Sequence, residues 1–182
     1  MSKVSSDKDS TLAALLRDKP KRGRPRREVS RENVYIELSE EQKQCMSELA
    51  ERLPENFVRA DIADLAIMVL AARLEALRRA VAGRTREIPE GITDLDSLYL
   101  LWDLPSPEPS DDGRWTSIRV SPQQAIELGR AHGTLNVLFG ATRSDVFSLG
   151  LSLLEYFVEN DLADDDVSSL LEMKECIGDL YL

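Results

Sequence analysis

Two stretches of the chain alternate apolar and polar residues and then switch to helical spacing. In Asn33-Val34-Tyr35-Ile36-Glu37-Leu38, the residues Val34, Ile36 and Leu38 fall on one face and Asn33, Tyr35 and Glu37 on the other. A period of two predicts a short half-buried strand. Ser39-Glu40-Glu41-Gln42 follows, a hydroxyl cap with Gln three places on, which opens a helix through a capping box. Cys45, Met46, Leu49, Ala50 and Leu53 share one face of it, and Pro54 ends it. A longer helix is predicted from about 59 to 82, with Gly83 as its stop. It is apolar nearly all round (Ile62, Leu65, Ile67, Met68, Val69, Leu70), as a central buried helix should be.

The same order recurs. Trp115-Thr116-Ser117-Ile118-Arg119-Val120 alternates again, and Ser121-Pro122 supplies a cap and a first-turn proline. Ala125, Leu128, Ala131, Leu135 and Leu138 fit one helical face, and either Gly133 or Gly140 ends this helix. Thr142-Arg143-Ser144-Asp145-Val146 then opens a second helix and matches Val58-Arg59-Ala60-Asp61-Ile62 in step. The strands are offset by 82 residues (Ile36 to Ile118) and the second helices by 84 (Asp61 to Asp145). A strand-helix-helix order repeated in register is the strongest pattern in the sequence.

These patterns divide the chain into a disordered basic arm (1–31), a first repeat (32–83), a linker (84–114), a second repeat (115–160) and an acidic helical tail (161–182). The linker holds Pro89, Pro105, Pro107 and Pro109, with one apolar stretch, Leu95 to Leu104, expected to pack as a short helix. The tail spaces Val167, Leu170, Leu171, Ile177 and Leu180 at near-helical intervals. It is expected either to cap the core or to engage a protein partner or a second copy.

Charge changes the picture. The net charge is −10, which on its face argues against nucleic acid. Residues 1–31, however, carry ten Lys/Arg against four Asp/Glu, whereas the other 151 carry thirteen against twenty-nine. A basic arm on an acidic body points to an arm that meets polyanions. Its densest part is Lys19-Pro20-Lys21-Arg22-Gly23-Arg24-Pro25-Arg26-Arg27. The core Arg22-Gly23-Arg24-Pro25 resembles an AT-hook. Gly23 and Pro25 keep the backbone narrow, Arg22 and Arg24 suit the floor of an A·T-rich minor groove, and the flanking Lys21, Arg26 and Arg27 suit phosphates.

Other chemistry is sparse. Cys45 and Cys176 form no disulfide framework, and His132 is the single histidine, so neither a metal nor a cofactor is expected. No nucleophile–base pair and no phosphate-cradling glycine loop stands out, so the chain is not expected to be an enzyme. No apolar run reaches the ~18 residues of a membrane span, and the N-terminus has no signal-peptide hydrophobic region. The expected compartment is the cytoplasm, in association with the nucleoid.

A lone strand followed by two helices cannot close a core, but two such units can pair their strands over four helices. On residues 33–82 and 115–158 this order, with Arg-Ser-Asp at a second-helix start and a basic arm ahead of the first strand, resembles the ribbon-helix-helix superfamily of MetJ, Arc and CopG-like repressors. Because one chain carries both halves, it resembles a tandem, pseudo-dimeric version, as in TraY-type conjugation proteins. The resemblance implies a mainly α fold: two fused ribbon-helix-helix units sharing one two-stranded antiparallel ribbon over a helical core.

It also implies a function: sequence-specific binding of double-stranded DNA, as in a bacterial-type transcriptional repressor. The ribbon would read the major groove through Asn33, Tyr35, Glu37, Trp115, Ser117 and Arg119. Arg59 in the first repeat, and Thr142, Arg143 and Ser144 in the second, would meet phosphates at the second-helix starts. Glu37 and Trp115 depart from the family's basic or polar readers. Glu37 is expected to accept from a cytosine, to pair with Arg119 across the ribbon, or to weaken the ribbon's hold on DNA. Val58 removes one helix cap, so an asymmetric site is expected, with the second repeat gripping harder. The alternatives are an antitoxin or adaptor that binds a protein through 161–182, and a plasmid partition or relaxosome accessory protein. Pairing of two pseudo-dimers is a further possibility.

Overall fold

The computed structural model describes residues 30–54, 57–82, 92–107, 112–162 and 169–181. The chain is mainly helical, with one two-stranded antiparallel sheet. In order come β1 (Glu32–Leu38), α1 (Glu40–Arg52), α2 (Arg59–Ala82), α3 (Leu95–Leu101), β2 (Arg114–Val120), α4 (Pro122–Phe139), α5 (Arg143–Tyr156) and α6 (Leu170–Tyr181). A π-helical stretch, Phe157–Asp161, prolongs α5.

The two strands pair along their whole length, with Tyr35 opposite Ser117 at the centre. Ile36, Leu38, Ile118 and Val120 point inward and are buried, while the residues between them are exposed. The period-two alternation thus becomes one wet face and one dry face. Beneath the dry face α2 and α5 pack on each other, burying Ile62, Leu65, Leu70, Val146, Phe147, Leu153 and Leu154. Gly150 permits this approach: a Cβ there would stand 2.9 Å from the Ala66 carbonyl oxygen.

The first helices differ in length. α1 ends at Arg52, with Leu53 as its C-cap. α4 runs straight through Gly133 and stops at Gly140, whose φ of 71° is left-handed and suits a residue without Cβ. The chain there bends by 110° into α5. Of the apolar face expected on α4, Leu128, Ala131 and Leu135 are buried, but Leu138 is exposed.

The short helix expected in the linker is α3. Asp94 caps it, and Leu98 and Tyr99 are buried. In the tail, α6 lies on α2 and buries Met173 and Ile177, while Leu171 and Leu180 face outward. Its last turn is clamped: the Tyr181 hydroxyl donates to Asp161, and the Arg73 guanidinium stacks 4.0 Å above the Tyr181 ring. No single helix among the described residues is long and apolar enough to cross a membrane.

Candidate nucleic-acid interface

The exposed face of the ribbon carries the six residues singled out by their alternation. The register sets Asn33 opposite Arg119, Tyr35 opposite Ser117, and Glu37 opposite Trp115. All six are exposed. Trp115 (73%) and Tyr35 (64%) are among the most exposed large side chains in the described structure. Burying either would recover apolar area, so this face gains from contact with a partner. The pairing of Glu37 with Arg119, one of three expectations for that carboxylate, does not form, because the register keeps the two at opposite ends.

A helix start flanks each edge of the ribbon. On the β1 side, the Glu37 N–H donates to Ser144 Oγ at 2.9 Å, which ties α5 to the strand. Thr142 caps that helix through a complete capping box. Its hydroxyl accepts from the Asp145 N–H at 3.2 Å, and Asp145 accepts from the Thr142 N–H at 2.8 Å. Arg143 is exposed beside it. The first-turn N–H groups of α5 therefore start beside the wet face of the ribbon.

On the β2 side the start of α2 is built differently. Val58 has no hydroxyl, yet half of the box survives, because Asp61 accepts from the Val58 N–H at 2.9 Å. Arg31 takes over the rest. It pairs with Asp61, reaches Asp64 at 3.1 Å, and donates to the carbonyls of Ala60 (2.7 Å) and Arg119 (3.2 Å). Arg31, the last residue of the expected arm, is thus fixed in the folded body with its side chain 10% exposed. A groove of roughly 310 Å³ opens next to it between α1, α2 and β2 and is rimmed by Lys43, Arg59 and Arg119.

Asp64 is the most unusual group of this region. It lies in an otherwise apolar stretch of α2, and burial pushes its carboxyl above the ordinary range. The Ser121 N–H at 2.8 Å and the Arg31 cation oppose that push. At the matching place in the second repeat stands Ser148, which accepts from Gln42 Nε2 at 2.7 Å. One half thus uses an ionic network where the other uses neutral hydroxyl and amide groups.

The two parts expected to grip hardest, Arg119 and the Thr142–Ser144 start, are not neighbours. Arg119 lies with Arg31 and the start of α2, whereas Ser144 lies with Glu37. Each ribbon end joins a strand residue of one repeat to the helix start of the other, so grip does not divide by repeat. Pattern reading missed Arg31 and Lys43. The signal for Arg31 was present in Asp61 and Asp64, two carboxylates on a helix that needed a cation. Lys19, Lys21, Arg22, Gly23, Arg24, Pro25, Arg26 and Arg27 lie outside the described residues. No protein-family model, no curated protein and no solved structure matches the chain.

Proposed function

We propose that the chain is a sequence-specific double-stranded DNA-binding protein, a transcriptional repressor built from two fused ribbon-helix-helix units. One observation carries this reading. A two-stranded antiparallel ribbon exposes a row of six polar and aromatic side chains, and a helix start stands at each edge. A ribbon of that width fits a major groove about 12 Å across. Helix starts beside it would meet the phosphates on either side through N–H groups and through Arg59 and Arg143. The internal repeat supports the same reading. Tyr35 and Ser117, equivalent by the 82-residue offset, are direct partners, and Ala66 and Gly150, equivalent by the 84-residue offset, touch. An approximate two-fold axis through both contacts is what a fused pair of units would have.

In this account the arm adds non-specific affinity. It joins the described structure at Ser30, and the residues 19–27 would lie along the minor groove or on phosphates. The acidic body repels DNA elsewhere and confines binding to the ribbon face.

A second reading has its own observation. The outer face of α6 leaves Leu171 (66%) and Leu180 (50%) exposed. That face suits a protein partner, as an antitoxin, an adaptor or a plasmid partition or relaxosome accessory protein would need. Fluorescence anisotropy with a pool of random duplexes across salt concentrations separates the readings. DNA regulation predicts binding that weakens steeply with salt, survives deletion of residues 1–29 at low salt, and is weakened but not abolished in Arg119→Ala. Binding that depends wholly on residues 1–29 would leave the ribbon without a DNA role.

A further inference from the structure

We propose that the ribbon reads a polar, non-palindromic duplex, with one end specialised for base hydrogen bonding and the other for a cytosine and thymine methyl groups. This rests on the ribbon being the DNA reader. A palindromic target presents the same base edges to both halves of a two-fold reader. That match requires residues equivalent by the repeat to be alike. None of the three outward pairs is: Asn33 corresponds to Trp115, Tyr35 to Ser117, and Glu37 to Arg119.

The register then sorts these differences by end. Asn33 and Arg119 face each other at one end. Asn suits adenine N6/N7 and Arg suits guanine O6/N7, both as two-bond contacts. The same end carries Arg31 and Arg59, and the basic arm joins here at Ser30. Glu37 and Trp115 face each other at the opposite end. A carboxylate accepts from cytosine N4, and an exposed indole packs on a thymine methyl. Tyr35 sits diagonal to Trp115 and extends that aromatic surface.

The backbone beneath the two ends is also unequal. Gly113 occupies, by the 82-residue offset, the place that Arg31 holds in the first repeat. A Cβ on Gly113 would stand 2.8 Å from Glu37 Oε1 and 2.9 Å from Glu37 Cγ. The Glu37 side chain therefore fills the space over Gly113, and the buried guanidinium of one end has no counterpart at the other. The difference is built into the packing of both ends as well as into the tips of the readers.

The test is a selection with the full chain on duplexes carrying a 20-base-pair random core. It is followed by anisotropy on the selected site and on the two palindromes made by doubling each of its halves. A polar site predicts a non-palindromic consensus, with the selected duplex bound about tenfold more tightly than either palindrome. Arg119→Ala should flatten base preference in one half alone, and Glu37→Gln in the other half alone. Both side chains are exposed, and an unchanged thermal melt would show that each variant is folded. A palindromic consensus, or a doubled half bound as tightly as the selected site, overturns the polarity and leaves DNA reading intact. No enriched sequence at any salt concentration overturns sequence reading and the polarity with it.

Discussion

Gly150 of α5 lies directly against the backbone of Ala66 in α2, at the place where the two central helices cross. A Cβ on Gly150 would meet the Ala66 carbonyl oxygen at 2.9 Å, and that oxygen is committed to the backbone of a buried helix. Gly150→Ala is therefore expected to push α2 and α5 apart and to destabilise the fold by about 1–3 kcal/mol. The same substitution at Gly133 should have the opposite sign. Nothing lies within 4 Å of its missing Cβ, and it sits inside α4, so Gly133→Ala is expected to stabilise by up to ~1 kcal/mol. Urea unfolding of the two variants checks both. Equal signs would contradict the crossing geometry.

Arg31 should be worth more than its place beside the arm suggests. Removing it leaves Asp64, 7% exposed, without its cation. Breaking a buried pair in this way costs about 3–5 kcal/mol, here expected near the lower figure because Ser121 still donates to Asp64. The pH dependence has a definite sign. Burial raises the folded-state pKa of Asp64 above its unfolded value, and loss of Arg31 would raise it further. The folded protein then takes up a proton that the unfolded chain does not. The resulting contribution is favourable in acid and is lost as pH rises through the folded value. The penalty of Arg31→Ala should therefore shrink as pH falls through the raised folded-state value of Asp64. A penalty independent of pH would mean that Asp64 is not the group left unpaired.

Thr142 carries both a cap and a proposed phosphate contact, and the two can be separated. Thr142→Ala removes the hydroxyl that accepts from the Asp145 N–H and should cost about 1 kcal/mol of stability. Thr142→Ser keeps that bond and should restore stability. If the start of α5 meets DNA, Thr142→Ala should also weaken DNA binding uniformly across sequences, with base preference unchanged. Altered base preference in this variant would place Thr142 on a base rather than on the backbone.

The arm should act through salt alone. Deleting residues 1–29 removes nine Lys/Arg, so the dependence of DNA affinity on salt should become shallower while the preferred sequence stays the same. A change of preferred sequence would assign base reading to the arm.

Much of the architecture was legible in the chain because its signals are local. The alternation at Val34, Ile36 and Leu38 marks β1 and its wet face. Ser39 with Gln42, and Thr142 with Asp145, mark two helix starts through short-range bonds. What was not legible depends on register and on long-range charge. Nothing in the order of residues says that Arg119 faces Asn33 rather than Glu37, because strand pairing is set by packing across the core. Arg31 reads as one more cation of a basic arm until α2 brings Asp61 and Asp64 beside it. The end of α4 was ambiguous because Gly133 and Gly140 look alike in sequence, and only Gly140 takes the left-handed conformation.

If the wet face of the ribbon binds duplex DNA, amide chemical-shift mapping will read that contact residue by residue. A selected duplex titrated into the labelled full chain should shift the amides of residues 32–38 and 114–120 and of the helix starts at 59–60 and 142–144, and leave α6 unmoved. Shifts confined to α6 and the outer face of α4, or to residues 1–29, would contradict it.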